Sequence, residues 1–305
     1  MSKMPKVAIV ILNWNGLDDT LECLCSLRAI DYPNYEVIIV DNASEDGDVK
    51  VIEAKHGHWI HVIKNKRNLG FAEGNNIGIR YALKQDADYV LLLNNDTTVS
   101  PSFLNKMVDA ARSDDEIAIL IPTIYDYDVP DTIQSQMRKI GWYGPPGATI
   151  RLQNSKRLVD VEIALGTCML IKRETVERIG LLSSDYFLQV EDTDYSVRTQ
   201  RQGFRIVCVP QATIWHKGSA SLNKVPAEKL GYFTRNRFLL RAKYATNLQL
   251  ATFVAWALLV EAPINLIYYL LRFRDLGTAK GLLWGAREGV SYLMAHRIKR
   301  NGATP

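Results

Sequence analysis

Short apolar runs alternate with amphipathic stretches through the first 121 residues of the chain. The apolar runs are rich in β-branched residues, which is typical of buried strands, and the stretches between them carry apolar side chains at helical spacing. We therefore predict five strands, at residues 6–13, 35–40, 59–63, 89–93 and 117–121, and four helices, at residues 18–28, 46–56, 71–84 and 101–111. This alternation predicts an α/β fold with a mostly parallel central sheet that is flanked by helices on both faces.

A Gly- and Pro-rich insert at residues 126–160 interrupts the alternation and carries Trp142 and Tyr143. An irregular insert of this length is either a lid or binding loop, or a disordered excursion, and the sequence leaves both interpretations open. Regular elements resume after the insert. We predict strands at residues 166–172 and 205–209 and helices at residues 173–179 and 191–202.

The last 60 residues have a different pattern. Residues 248–271 are apolar over a length that would cross a bilayer, but Glu261 and Pro263 lie within this stretch and count against a simple span. Basic residues flank the stretch on both sides, and residues 282–294 form a second amphipathic segment. We predict a domain of residues 1–245 followed by C-terminal helices, residues 246–305, that lie on a membrane surface. A helical cap on the core and an oligomer contact are the alternatives.

The charge distribution favours the membrane surface. Residues 230–305 contain 11 Lys and Arg against 3 Asp and Glu, so this part carries +8, although the whole chain carries only +4. A basic segment attracts anionic phospholipid or nucleic acid, and the chain has no recognised nucleic-acid motif. We therefore expect an anionic membrane surface as a partner and no nucleic acid.

The cysteines and the N-terminus predict a cytoplasmic location. The four cysteines have neither C-x-x-C spacing nor metal-ligand spacing, which is typical of buried thiols in a reducing compartment. The first apolar run is too short for a cleavable signal and is predicted to be a strand. Together with the basic helices, this predicts a peripheral protein on the inner face of the plasma membrane.

Polar side chains follow several of the predicted strands. Asp41, Asp96 and His216 each end an apolar run, and three acids, Glu191, Asp192 and Asp194, begin a predicted helix. Ligands of α/β folds bind at the carboxyl ends of the strands, and carboxylates there suit Mg²⁺ or Mn²⁺. Taken singly, each residue has an ordinary structural alternative: a cap, a structural imidazole or a solvated helix N-terminus.

The order of these segments resembles a known family. The segments VAIVILNWNG, VDNAS, NLGFAEGNNIGI, LLLNNDT, GTCMLIKRETVERIG, FLQVEDTDYSVRTQRQGFRIV and IWHKGSAS follow one another as in family 2 glycosyltransferases. The similarity covers about residues 6–240, and YFTRNRFLL at residues 232–240 is similar to the rhamnosyltransferase-like branch. It implies a GT-A type, Rossmann-like fold with a C-terminal helical extension.

The resemblance implies a nucleotide site. Asp41 would accept a hydrogen bond from N3–H of uracil or thymine, and Arg235 would neutralise the leaving diphosphate. The other nucleotide-binding residues that it implies are Leu12, Asn13, Asn15, Asn68, Gly70, Asn94 and Asn95.

The resemblance also implies the catalytic groups. Asp96 and His216 would hold Mg²⁺ or Mn²⁺ on the diphosphate, and Asp192 would be the general base. Glu191, Trp142 and Tyr143 would bind the acceptor. One base without a nucleophile implies inversion of the anomeric centre.

These roles predict an inverting glycosyltransferase. Its donor would be dTDP-rhamnose or a UDP-sugar such as UDP-GlcNAc or UDP-Gal, and its acceptor a lipid-linked saccharide or a polysaccharide of the cell surface; a homo-oligomer is compatible with the sequence. A sugar nucleotidyltransferase and an inactive sugar-nucleotide-binding protein are the alternatives. A sugar nucleotidyltransferase needs a basic, Gly-rich loop after the first strand, and this chain has the acidic segment NWNGLDD there.

The sequence departs from the family pattern at three places. Asn94 replaces the first acid of Asp-x-Asp, which leaves fewer charges for a metal. Asn75 stands where many relatives have Arg, and Ser183 and Ser184 replace a common acidic start.

Overall fold

The computed structural model divides the chain into two compact units. The first comprises residues 1–138, 149–185 and 191–218, and the second comprises residues 139–148, 186–190 and 219–305. The structure describes residues 4–45, 47–134, 137–145, 147, 149–150, 157–218, 227–273 and 276–301. The predicted domain boundary at residue 245 stays a prediction. The end of the predicted IWHKGSAS motif, the basic residue Arg274 and parts of the insert lie outside the described residues.

A mixed sheet forms the centre of the first unit, in the order β3-β2-β1-β4-β10-β6-β11-β5, with β9 paired to β11. A separate two-stranded ribbon is formed by β7 and β8. The strands are β1 Val7–Asn13, β2 Tyr35–Asp41, β3 Ile60–Lys64, β4 Tyr89–Asn94, β5 Thr97–Val99, β6 Ile117–Asp126, β7 Met137–Arg138, β8 Thr149–Ile150, β9 Val159–Asp160, β10 Cys168–Lys172 and β11 Arg205–His216.

The first four strands are parallel, as predicted. β1 lies between β2 and β4 and pairs with both in parallel register, with Asn13 opposite Asp41 and Leu12 opposite Asn94. The strands β10, β5 and β9 each pair antiparallel with their neighbours, so the sheet is mixed. The α/β fold of GT-A type with flanking helices is confirmed.

Two apolar layers hold helices against the faces of this sheet. Val7, Ile9 and Ile11 of β1 face one layer, while Ala8 and Val10 face the other, and all five are fully buried. Burial on both faces explains why β1 is apolar without alternation. The helices of the unit are α1 Leu17–Leu27, α2 Asp48–His56, α3 Gly70–Lys84, α4 Phe103–Arg112, α5 Arg173–Ile179 and α6 Glu191–Arg201.

Several strands differ from their predicted form: β6 continues to Asp126 and the short strands β7, β8 and β9 were not predicted, and two further differences concern β5 and β11. β5 follows β4 after only two residues and was not predicted, because it is too short to give a periodic pattern. The predicted strand at residues 205–209 continues to His216 as one strand with an irregular register between Val209 and Thr213. Both differences bear on the site, because β5 pairs with the end of β11 and places Thr97 opposite His216.

Long helices make up most of the second unit. They are α7 Ala227–Tyr244, α8 Asn247–Trp256, a π-helical segment Ala257–Glu261, α9 Ala262–Phe273 and α10 Leu276–Asn301. α10 packs against α7, and a side chain at Gly285 would lie 2.3 Å from the carbonyl oxygen of Gly231. This close approach therefore requires glycine at the crossing. The predicted C-terminal helical extension is confirmed.

One continuous helix within the described residues, Asn247–Leu271, is long and apolar enough to cross a membrane by length and composition. Only 17% of its most apolar window is buried in the structure. Leu259 and Leu271 are 76% and 77% exposed, so most of this apolar surface has no partner among the residues that the structure describes.

Candidate active site

The carboxyl ends of β1, β2 and β4 bring together the first group of predicted site residues. Asp41 ends β2 and is only 4% exposed. Its carboxylate accepts hydrogen bonds from the Asn13 side-chain amide at 3.0 Å and from the Ser44 hydroxyl at 2.6 Å. Ser44 Oγ in turn lies 2.9 Å from the backbone N–H of Asn15, which donates to it. These bonds fix the orientation of the Asp41 carboxylate.

A chain of buried hydrogen bonds connects Asp41 to the Asn94-Asn95-Asp96 segment. Asn13 is fully buried, and its side-chain oxygen Oδ1 accepts a hydrogen bond from the Thr20 hydroxyl at 2.8 Å. The Asn95 amide donates to that hydroxyl at 3.0 Å and to the Gly16 carbonyl at 3.3 Å. Predicted nucleotide residues on β1, β2 and β4 are therefore parts of one network.

Leu12, Asn13 and Asn15 take different positions at the end of β1. Leu12 is half-buried, Asn13 points into the network, and Asn15 is exposed with a φ of 51°. Trp14 lies between them and is 55% exposed. We did not single out Trp14 from the sequence, although a large exposed aromatic between two asparagines at a strand end is a signal of a binding surface.

Asn68 and Gly70 are held in place by Asn42, which is almost fully buried. The Asn42 amide nitrogen donates to Asn68 Oδ1 at 2.8 Å and to the Gly70 carbonyl at 3.1 Å. Its oxygen accepts from the Asn65 amide at 3.1 Å and from the Leu69 N–H at 3.0 Å. Gly70 has a φ of 76°, which favours glycine at the start of α3.

Asp96 and His216 face each other. Asp96 Oδ1 lies 3.2 Å from His216 Nε2, yet this buried oxygen has no hydrogen bond of acceptable geometry. The Gln134 amide donates to the His216 carbonyl at 2.9 Å, and therefore Gln134 Oε1 is the atom that lies 2.6 Å from His216 Nδ1. Because Gln134 Oε1 can only accept a hydrogen bond, Nδ1 of the neutral His216 imidazole carries the proton. Nε2 then carries the lone pair, on the side of the Asp96 carboxylate.

This pair fits a divalent cation. A shared cation would satisfy the lone pairs of Asp96 Oδ1 and His216 Nε2. Two neighbouring ligand atoms, each about 2.1 Å from an octahedral Mg²⁺, lie about 3 Å from each other, which is close to the separation of this pair. No cluster of three or more His, Cys, Asp or Glu side chains that could hold a metal occurs among the described residues. The chain therefore offers two ligands, and a diphosphate and water would supply the others.

A cationic side chain lies next to this pair. Lys217 Nζ is 2.6 Å from both Asp19 and Glu22 of α1, and Glu22 also accepts a hydrogen bond from Tyr127. Burial lowers the pKa of Lys217, but the hydrogen bonds from its ammonium to Asp19 and Glu22 outweigh that effect and raise it above its usual value. Lys217 thus ties the end of β11 to α1, a role that strand and helix patterns could not reveal.

Asp192 lies in the first turn of α6 and is half-buried. Its carboxylate accepts hydrogen bonds from the Gly166 N–H at 3.1 Å and from the Thr193 hydroxyl at 3.1 Å. Thr167, which follows Gly166 in the chain, accepts a hydrogen bond from the Asn94 N–H at 2.9 Å. The backbone that binds Asp192, which we call the Asp192 anchor, therefore adjoins the end of β4. Burial raises the pKa of Asp192 above its usual value, and the Gly166 and Thr193 bonds lower it in part.

The other two acids of α6 have different environments. Glu191 is 5% exposed, and its Oε2 has no hydrogen-bond partner. Burial, followed by the charge of Asp192, raises the pKa of Glu191 to about 8. Asp194 is fully buried and pairs with Arg198 at 2.9 Å. The alternative of a solvated helix N-terminus therefore does not apply to Glu191 or Asp194.

Three predicted site residues belong to the second unit. Arg235, on α7, donates to the Asn236 side-chain oxygen at 2.8 Å. Trp142 is half-buried against the apolar cluster of the helices, and Tyr143 is exposed.

A cavity of about 980 Å³ lies elsewhere, at the amino ends of the strands, where Lys6, Asp88 and Lys172 line it. The site residues occupy the opposite edge, and ligands of α/β folds bind there. The carboxyl edge is therefore the candidate site.

The fold and this edge are those of a sugar-transferring enzyme. The family model "Glycosyl transferase family 2" matches residues 8–180, and the chain belongs to this family. The chain is thus a glycosyltransferase that uses a nucleotide sugar. This result favours glycosyl transfer over the nucleotidyltransferase alternative.

Curated relatives are similar at low identity. The N-acetylglucosaminyl-diphospho-decaprenol L-rhamnosyltransferase of Mycobacterium tuberculosis is 26% identical over 72% of this chain and 78% of the relative. The dTDP-rhamnosyl transferase RfbF of Shigella flexneri is 23% identical over 91% of this chain and 97% of the relative.

Solved structures share the fold. GalNAc-T7 with UDP, GalNAc and Mn²⁺ has a TM-score of 0.66 at 16% identity and covers 97% of this chain, which spans 58% of that protein. The mannosyltransferase PcManGT from Pyrobaculum calidifontis, in complex with GDP-Man and Mn²⁺, has a TM-score of 0.61 at 16% identity, over 95% of this chain and 88% of its own.

Proposed function

We propose that the protein is an inverting rhamnosyltransferase that moves L-rhamnose from dTDP-rhamnose to a hydroxyl of a lipid-linked or polysaccharide acceptor in cell-surface glycan synthesis. The observation that carries this proposal is the 3.2 Å approach of Asp96 Oδ1 to His216 Nε2 at the edge that also holds Asp41 and the Asp192 anchor. The names of the Mycobacterium and Shigella relatives support the sugar.

In this proposal the strand ends bind the nucleotide. Asp41 accepts the N3–H of thymine, and its fixed orientation supports that role. Leu12 and Asn15 frame the base and ribose, and Asn13 acts through Asp41. Exposed Trp14 adds an aromatic surface for stacking. Asn68, Gly70, Asn94 and Asn95 border the sugar and diphosphate.

Asp96 and His216 would hold Mg²⁺ or Mn²⁺. When bound, the ion would neutralise charge on the diphosphate leaving group. Gln134 fixes the tautomer that leaves Nε2 available, and Arg235 is proposed to add a second positive charge.

Asp192 is proposed as the general base. It takes the proton of the acceptor hydroxyl while that oxygen forms a bond to the anomeric carbon, and the bond from this carbon to the diphosphate oxygen breaks with its electron pair. The reaction has a single displacement and therefore inverts the anomeric centre. Protonated Glu191 supports an ionised Asp192, because the charge of Asp192 raises the pKa of buried Glu191 and a neutral neighbour does not oppose that charge.

The acceptor and location are proposed from the second unit and the relatives. Trp142, Tyr143 and Glu191 are proposed to bind the acceptor. The exposed apolar surface of α8 and α9 and the net charge of +8 over residues 230–305 support binding to the anionic inner face of the plasma membrane.

A UDP-sugar donor is the second candidate. The poly-beta-1,6-N-acetyl-D-glucosamine synthase of Staphylococcus aureus is 21% identical over 91% of this chain and 66% of its own length. Asp41 would accept the N3–H of uracil as well as that of thymine.

Nucleotide release tests the proposal. The protein is incubated with Mg²⁺, a short-chain N-acetylglucosaminyl-diphospho-lipid and either dTDP-rhamnose or a UDP-sugar. We expect acceptor-dependent release of dTDP. Release of UDP alone would move the proposal to the second candidate, and release of neither nucleotide would contradict it.

A further inference from the structure

The part of the insert that carries Trp142 and Tyr143 is a compact loop within the second unit. We define it as the aromatic loop, residues 139–145 and 147. A side chain on Gly141 would lie 1.9 Å from the Pro145 carbonyl oxygen, and one on Gly147 would lie 2.1 Å from that of Lys139. Because the two ends of the loop approach so closely, the interpretation as a disordered excursion does not hold for these residues.

Two arginines of α7 bind the backbone of this loop. Arg241 donates to the Gly141 carbonyl at 2.6 Å, and Arg237 donates to the Gly144 carbonyl at 3.3 Å. Gly144 itself lies against Trp256 of α8, where a side chain would meet the indole at 2.5 Å. The aromatic loop is therefore fastened to the C-terminal helices at the carbonyls of Gly141 and Gly144 and by the packing of Gly144 against Trp256.

The arginines are themselves buried among apolar and charged neighbours. The Arg241 guanidinium lies 4.0 Å from the ring centroid of Phe253, and Arg237 pairs with Glu261 in the π-helical segment. Burial, and then the charge of Arg237, lowers the pKa of Arg241 to about 9. A buried cation is costly compared with a packed apolar side chain, so Arg241 is unfavourable for stability alone. Its contact with Gly141 points to a role in loop geometry.

The two aromatic residues of the loop point in different directions. Trp142 packs against the apolar cluster that includes Phe238 and Phe253, so it anchors the loop. Tyr143 is 55% exposed. An exposed aromatic on an anchored loop presents a rigid face, and an aromatic face can stack on the apolar side of a sugar ring.

We propose that Arg241 and Arg237 are positioning residues for the acceptor, because they hold Tyr143 in place through the aromatic loop. Acceptor recognition would then depend on the C-terminal helices that hold the aromatic loop. This inference rests on the proposed function and adds the means by which the lipid-linked acceptor is selected.

The test separates acceptor from donor kinetics in full-length protein. Arg241→Lys retains the charge but loses the planar guanidinium that donates to the carbonyls of both Gly141 and Arg237. Tyr143→Ala removes only an exposed ring. With dTDP-rhamnose and farnesyl-diphospho-N-acetylglucosamine, we expect each variant to raise the acceptor KM about tenfold. The donor KM and the slow hydrolysis of the donor by water should stay within about twofold of the wild-type values.

Arg287→Ala is the matched control, since it removes an exposed arginine of α10 in the same unit. Its acceptor KM should equal that of the wild type. An unchanged acceptor KM in both Arg241→Lys and Tyr143→Ala would overturn the inference, as would an equal loss of donor hydrolysis. Absence of nucleotide release in the wild type would instead overturn the proposed function, and the inference with it.

Discussion

The two units of the molecule hold their functional side chains by different means. In the first unit, Asp41 and His216 end strands and Asp96 lies in the short turn between β4 and β5, so the sheet sets their positions. In the second, Tyr143 stands on a loop that is held by side chains, above all by Arg241. If the proposed roles hold, donor chemistry depends on the register of the sheet, while acceptor recognition depends on side-chain contacts that hold one loop.

The largest expected effect belongs to the first unit. Asp192→Asn should lower transfer by about 10²–10⁴-fold, because the amide cannot take the acceptor proton. Donor binding, measured by thermal shift with dTDP-rhamnose, should be unchanged. Asp131→Asn, at an exposed acid, is the control and should retain wild-type rates. Full turnover in the Asp192 variant would assign the base to another group.

The second prediction concerns the pH dependence of folding stability, to which Glu191 should contribute. The pKa of Glu191 is raised to about 8 in the folded protein from 4.5, so the folded state holds a proton that the unfolded state has lost between these values. Stability should therefore fall as pH rises through this window, by up to about 1.4 kcal/mol per pH unit.

Urea unfolding at pH 5, 6, 7 and 8 measures this dependence. Glu191→Gln should flatten it, because the variant has no proton to lose at that position. The same slope in wild type and variant would show that Glu191 is not the group that titrates.

The tautomer of His216 provides a third prediction. Gln134→Leu removes the oxygen that holds Nδ1–H and should weaken Mn²⁺ binding in the presence of dTDP by about 10–100-fold. Gln85→Leu, at an exposed glutamine on the other edge of the sheet, is the control. Equal Mn²⁺ affinity in both variants would remove Gln134 from the site.

The smallest expected effect tests the membrane surface of the second unit. Leu259→Asp and Leu271→Asp place charges on exposed apolar positions and should each lower binding to vesicles of anionic phospholipid about tenfold, with unchanged thermal stability. Val129→Asp makes the same kind of change at an exposed position of the first unit and should have no effect. Vesicle sedimentation measures all three, and loss of binding in the control alone would place the membrane surface on the first unit.

Much of the first unit could be predicted from the sequence, because parallel strands have apolar runs and leave polar residues at their ends. Asp41, Asp96 and His216 were predicted in this way, together with the resemblance, and their roles stay predictions. The contacts of Gln134 and Lys217 were not, since each joins segments that are far apart in the chain and leaves no periodic signal.

In the second unit, too, the sequence does not reveal contacts between residues that are far apart in the chain. The apolar segment at residues 248–271 was visible, but the arginine contacts to the aromatic loop join residues about 100 positions apart. Arg241 is one of the basic residues that flank this segment, and its burial could not be predicted, because a buried arginine and an exposed one look alike in sequence.

Pulsed electron paramagnetic resonance of Mn²⁺ bound with dTDP tests the central claim most directly, that Asp96 and His216 form the metal position at the donor edge. In protein labelled with ¹⁵N-histidine, we predict a nitrogen coupling to Mn²⁺ that disappears in His216→Gln and persists in His61→Gln. Identical spectra from the wild type and His216→Gln would contradict the account.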